Sequence, residues 1–200
     1  MSKILEYRGV SDLVYAEVTE DTLENYTTGA VKPLAGVATI TRETASSSEA
    51  HYYDNQAAIV ISTVGADTVT CTVSAIPLDV LADLTGQNYD EATGVLIEGH
   101  VAPKYFAIGY KTKKTNGDEV YVWRHKVSVG IPSVTHSTEN DGTEANGQEL
   151  VFTGVATTHR FAKADNKGIK AINVDVALGK ADVTTFFDEV TTPDSLKAKA

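Results

Sequence analysis

Two hundred residues, 42% hydrophobic and 22% charged, make a chain long enough to bury a core of its own. Its formal net charge of −10 excludes attraction to nucleic acid by phosphate neutralisation. A single Cys excludes an intramolecular disulfide, and the lack of any run of about 18 apolar residues excludes a membrane-spanning helix.

In chain order, residues 1–10 read as an N-terminal arm, 11–190 as one β domain and 191–200 as a flexible C-terminal tail. Leu13–Val18 is the first strand candidate, and the acids of Glu20–Asn25 break its pattern. After Pro33, Gly36–Arg42 alternates Ala38 and Ile40 against Val37, Thr39 and Thr41, as a half-buried strand does. Thr44–Asn55 contains three consecutive Ser and is expected to be a mobile loop. Tyr52 and Tyr53 within it either cap the core of their own domain or form a contact surface, where aromatics give large area at low entropic cost.

Ala57–Val64 and Asp67–Ala75 read as two strands of a hairpin that turns at Gly65-Ala66. Pro77–Thr85 is the clearest helix. Pro is tolerated in the first turn, Leu78, Leu81 and Leu84 recur at spacing three, and Gly86 is a C-terminal stop. A short helix on a strand-rich chain gives a mainly β, α+β class.

Gly94–Glu98 is a short strand. Tyr105–Lys113 and Glu119–Val129 carry the longest strand signals, and Asn116-Gly117 between them suits a tight hairpin turn. Alternation sets Val120, Val122, Arg124 and Lys126 on one face, with Tyr121, Trp123, His125 and Val127 on the other. Lys111, Lys113, Lys114, Arg124 and Lys126 gather along this hairpin. They form either a solvated face or a contact with the acidic half of a neighbouring copy, since residues 1–100 hold 4 Lys+Arg against 15 Asp+Glu. Val134–Gln148 has almost nothing apolar to bury and is expected to be a second mobile loop. Glu149–Thr158 and Ile169–Leu178 are the last strands, with a turn at Asn166–Gly168. Asp182–Val190 is expected to form a helical turn or two docked by Phe186 and Phe187, and Pro193 opens the tail.

Chemistry finds little purchase. The five His stand singly at 51, 100, 125, 136 and 159, without zinc-site spacing. His51 and Asp54 offer at most two metal ligands from a loop, and Asn140–Gly142 lacks the spaced oxygens of a calcium loop. No phosphate loop, dinucleotide fingerprint or nucleophile elbow occurs. Cys71 lies in an alternating run and reads as a small buried strand residue, whereas a catalytic thiol would need a base nearby. The expectation is a protein without catalytic residues, cofactor or metal: not an enzyme. No secretory-type segment opens the sequence, so synthesis and folding are expected in a cytoplasm.

Several segments together carry a resemblance. They are the strand Val10–Val18, the stretch Lys32–Ile40, the loop with Tyr52–Asn55, the helix ending Leu81–Gly86, Asp90–Val95, the hairpin with Val122–His125, and Leu150–Gly154. In this order and spacing the chain resembles the major tail (tail tube) proteins of long-tailed, non-contractile bacteriophages, in the branch infecting Gram-positive hosts.

The resemblance implies a β-sandwich or split barrel of two packed antiparallel sheets, one flanking helix, long loops and terminal arms. It implies hexameric rings stacked into a tube, assembled in the host bacterial cytoplasm and carried in the virion tail. Tape-measure, terminator and distal tail proteins would be partners, and genomic DNA would pass through without specific binding. An acidic lumen would let the duplex slide. Ser47, His51, Tyr52, Tyr53, Asp54 and Asn55, with Leu5 and Tyr7 of the N-terminal arm, are the implied contacts between subunits. Removing residues 1–9 or 191–200 is then expected to weaken ring stacking and leave the domain folded. With its end at Ala200, the chain looks like the form without a C-terminal immunoglobulin-like domain.

A tail terminator or a head–tail joining protein would share this fold and symmetry. Outside the virion, the alternatives are a non-enzymatic β binding module and a small β-barrel enzyme or ligand carrier.

Overall fold

A computed structural model of the chain describes residues 4–99, 101–136, 138 and 147–199. Eleven strands follow in chain order: β1 (Tyr7–Asp21), β2 (Tyr26–Thr28), β3 (Lys32–Pro33), β4 (Val37–Tyr53), β5 (Gln56–Val73), β6 (Asn88–Asp90), β7 (Val95–Ile97), β8 (Phe106–Lys114), β9 (Glu119–Val129), β10 (Gln148–Gly154) and β11 (Ala171–Asp175). The helix α1 (Leu78–Thr85) stands between β5 and β6. The protein is mainly β, as expected.

Nine strands form one antiparallel sheet in the order β2-β1-β8-β9-β10-β5-β4, with β3 also on β1 and β11 also on β9. The sheet folds over as a split barrel, because side chains from β1, β4, β5, β8, β9 and β10 all meet in one core. Tyr15, Val69, Phe106, Ile108, Leu150 and Phe152 are fully buried there. The small β6–β7 hairpin is the second sheet.

Helix α1 follows its sequence signals. Pro77 caps its start, and Gly86, at φ 68°, ends it in the left-handed conformation. Its buried side is Ala82, Leu84 and Thr85, and Leu78 points to solvent instead of completing the expected Leu stripe.

The β8–β9 hairpin forms as read from Asn116-Gly117, with a finer turn. Only Gly117 has positive φ, at 90°, and the Gly117 N–H donates to the Lys114 carbonyl at 2.9 Å. This is a three-residue loop with its glycine in the left-handed position. The expected alternation of β9 holds as far as His125. An extra residue on β9 between the pairs Ile108–Arg124 and Phe106–Val127 then flips the register. Val127 therefore joins Val120 and Val122 in the barrel core instead of following Trp123.

Trp123 begins a second core on the outer face of the sheet. Gly109 makes room for it, since a Cβ there would lie 3.0 Å from the indole. The cover of this core is the C-terminal segment. Phe186 and Val190 are buried against Trp123, and Leu196 packs beside them. Phe186 docks as expected, but Val183–Asp188 forms isolated turns and no helix.

The expected flexible tail is corrected by these contacts. Thr191 is buried and donates through its hydroxyl to the Phe186 carbonyl at 2.9 Å. The Asp194 carboxylate accepts from the N–H groups of Ala162 and Lys163, both at 2.9 Å. Asp182 and Lys199 donate backbone bonds to Lys197 and Lys180. A segment that covers apolar residues without regular structure leaves no periodicity to read, so its composition looked like a tail.

Phe186→Ala is expected to destabilise the domain by about 3–5 kcal/mol, and a chain ending at Val190 is expected to lose several degrees of melting temperature. Both are read by thermal unfolding. An unchanged melting temperature in the truncated chain would mean the tail is not docked.

Buried His125 links the same segment to the sheet. Its Nε2 lies 3.0 Å from the Thr191 carbonyl, and its ring packs near Tyr26 and Phe161. Burial pushes its pKa down to about 4, against which the bond to Thr191 works only weakly. A depressed folded pKa gives stability that is complete above the unfolded value near 6.5 and is lost as pH falls towards 4. Unfolding titrations are expected to show about 3 kcal/mol of stability lost over that window, a loss much reduced in His125→Gln.

Candidate assembly surface

The longest strands of the protein, β4 and β5, pair with each other from Val37–Val73 out to Tyr53–Gln56. The turn is at Asp54-Asn55, with φ 51° and 63°, the two left-handed residues of a type I′ turn. Two expectations are corrected here. Thr44–Asn55 is strand and turn, not a mobile loop, and Gly65-Ala66 is no hairpin turn. Gly65 and Ala66 lie opposite Ala45, between the pairs Thr44–Asp67 and Ser46–Val64, as a bulge within one continuous strand.

That bulge divides the hairpin in two. Below it, Val69, Cys71 and Val73 enter the barrel core. Above it, Ser46–Tyr53 and Gln56–Val64 form a two-stranded arm about 25 Å long at the usual rise per residue. Neither face of the arm is covered by the described residues. Alternation sets Tyr52, Val60 and Val64 on one face, and Tyr53, Ile59 and Ile61 on the other. All six are more than half exposed, with Val64 at 71% and Tyr52 at 68%. The serines join the two strands: Ser47 to Thr63 at 2.7 Å and Ser48 to Ser62 at 3.2 Å. A serine-rich strand with water on both sides has no apolar alternation, and this hid it from the sequence.

An isolated two-stranded ribbon is marginal in water, so the root of the arm matters. There the Asp67 carboxylate, 3% exposed, accepts from the Thr44 hydroxyl at 3.0 Å, Arg124 Nη1 at 3.1 Å and Lys170 Nζ at 2.8 Å. Lys170 Nζ also reaches the carbonyl of Gly65 in the bulge. Burial alone would raise the Asp67 carboxyl. Hydrogen bonds from Lys170 and Thr44 and the charges of Lys170 and Arg124 outweigh it and hold the group below the ordinary carboxylate value. Strands β4, β5, β9 and the residue before β11 are thus tied together at the base of the arm.

Beside this root lies a cleft of about 880 Å³ where the barrel is split. Val10, Ile40, Tyr110, Val120 and Val122 form its apolar wall, and Tyr7 and Arg42 stand at its rim.

No protein-family model matches the sequence, and no curated protein matches it.

The expected contact residues fall in two places. Ser47, His51, Tyr52, Tyr53, Asp54 and Asn55 come together on the arm and its turn. Tyr7 borders the cleft, and Leu5 precedes it. Tyr7 is not part of a loose arm: it is the first residue of β1 and pairs with Lys114. Removing residues 1–9 would therefore take away a piece of the sheet. Tyr52 and Tyr53 do not cap their own domain's core. The sequence reading placed Ile59–Ile61 and Val64 on a strand but did not single out their exposure.

The gathered cations of the β8–β9 hairpin are answered within the chain. Lys111 pairs with Asp12 at 2.9 Å, Lys113 with Glu119 at 3.5 Å, and Lys114 with Asp175. Arg124 pairs with Asp67, and Lys126 with Asp21. Three of these five acids lie in the acidic first half of the same chain, so they meet its charge without a neighbouring copy.

Burial pushes the Cys71 thiol up to about 12, His125 is enclosed, and His51 lies on the arm. His100, Ser137 and residues 139–146 of the second expected loop lie outside the described residues. Among the described residues no three His, Cys, Asp or Glu side chains gather as metal ligands. Among them, too, no helix is long and apolar enough to cross a membrane.

Proposed function

We propose that this protein is a structural subunit that assembles with copies of itself, as the tail-tube subunit of a long-tailed, non-contractile phage. The observation that carries the reading is the arm, a paired β ribbon with exposed apolar residues on both faces. Large apolar patches left open on a soluble domain mark surfaces that are covered by a partner. A self-association through one protruding element and a different receiving surface is heterologous. Such contacts close into rings or continue as open stacks.

In this reading hexameric rings stack into a tube that conducts DNA, and the subunit has no catalytic role. The net charge of −10 supports it, since a conduit must not hold the polyanion passing through. The protein would assemble in the bacterial cytoplasm, reside in the virion tail, and meet tape-measure, terminator and distal tail proteins at the ends of the tube.

The test is negative-stain electron microscopy of the purified protein over a concentration series. Six-fold rings or hollow tubes are the expected result. Small, featureless particles at every concentration, including with a tail-tip complex added as initiator, would overturn the reading.

A further inference from the structure

The cleft and the arm carry opposite charge. Around the cleft stand Arg42, Arg124 and Lys170 against the single carboxylate of Asp67, a cationic spot on a chain of net charge −10. The arm, from Thr44 to Val64, contains Glu49 and Asp54 and neither Lys nor Arg. The two also match in chemistry. The cleft wall is apolar, built from Val10, Ile40 and Val120 beside Tyr110. The arm's end presents Tyr52 and Tyr53 on its two opposite faces, next to a turn whose acid is Asp54.

We propose that the cleft of one copy receives the arm end of a second copy, with a tyrosine against the apolar wall and Asp54 turned to Arg42. This rests on the self-assembly reading above and names its receiving surface.

Among the described residues Arg42 has no carboxylate partner: its side chain donates to the Thr44 hydroxyl at 3.1 Å, whereas Arg124 and Lys170 are engaged by Asp67. Arg42 is also exposed, at the cleft rim, so its change should leave the fold intact. Aromatic anchors set in an apolar pocket with a charged rim pair are a common form of protein interface: the anchor gives affinity, and the charges give register. Val64 lines the cleft and also stands at the root of the copy's own arm, so docking there would place an incoming arm beside the outgoing one. Each copy would both give and receive.

The test is charge reversal with rescue in the full-length protein, read as the concentration at which assemblies first appear in sedimentation velocity. Arg42→Glu is expected to raise that concentration roughly threefold to tenfold, the range of a rim charge turned repulsive. Asp54→Lys is expected to do the same. The double variant, Arg42→Glu with Asp54→Lys, is expected to return towards the unmodified protein, which simple loss of surface charge would not do. Thermal unfolding of each variant should stay within a degree or two of the parent.

If the parent assembles and Arg42→Glu assembles equally well, or if the double variant is as weak as the sum of the singles, the cleft is not the receiver and this inference falls alone. If the parent does not assemble at all, even with a tail-tip complex added as initiator, the self-assembly reading falls with it.

Discussion

Replacing Ser46–Thr63 with Asn-Gly is expected to leave a folded, monomeric domain that no longer assembles. The segment lies wholly above the bulge, and none of its side chains belongs to either core. The pair Thr44–Asp67 still closes the body of the sheet. Stability should therefore change by within about 1 kcal/mol, as for surface changes away from packed features. Assembly should respond on another scale. If two tyrosines act as interface anchors at about 2 kcal/mol each, their removal raises the assembly concentration at least about a hundredfold. Light scattering after size exclusion, run beside a thermal melt, reads both effects. A folded chain without its arm that still forms rings at the parental concentration would show that the arm is not the contact.

Asp67→Ala is expected to cost about 3–5 kcal/mol, because it strands the buried Arg124 guanidinium without its counter-charge. Lys170 is less affected, since its side chain is 26% exposed and can turn to water. Pairing the change with Arg124→Met, which removes the charge and keeps the volume, should recover most of the loss. The asymmetry between the single and double variants identifies a buried charge effect rather than a packing defect. The sign with pH follows from the depressed Asp67 pKa: its contribution is complete above about pH 4, the unfolded value, and is lost as pH falls through the lower folded value. Asp67→Ala should accordingly have a flatter acid limb than its parent. Because Asp67 also holds Thr44, and Lys170 reaches Gly65, the arm should exchange its amides faster in this variant.

What the sequence disclosed and what it hid follow one rule. Elements with an apolar contrast along the chain or clear end signals were legible: the β8–β9 hairpin came from its alternation and from Gly117, and α1 from Pro77 and Gly86. Elements without that contrast were not. The arm has water on both faces, so Ser46–Ser48 read as loop. Its partner Ala57–Val64 read as a strand, but one paired with Asp67–Ala75 through a turn at Gly65-Ala66 instead of with β4 through Asp54-Asn55. The C-terminal cover has neither helix nor strand period, so its burial showed only in Phe186 and Phe187. The ion pairs join residues far apart, such as Lys126 with Asp21, and no local spacing reports them. Ser47 to Asn55, expected as a loop, lie on β4 and its turn, a strand that was not foreseen.

The central claim is that the arm is a surface between copies. Amide hydrogen exchange of Ser46–Val64, followed by mass spectrometry from dilute to concentrated protein, tests it most directly. The account predicts rapid exchange along the arm in the dilute monomer, since an uncovered ribbon opens readily. It predicts marked protection there as assemblies form, while the barrel strands β8 and β9 stay as they were. Arm exchange that is equally fast in monomer and assembly would contradict it.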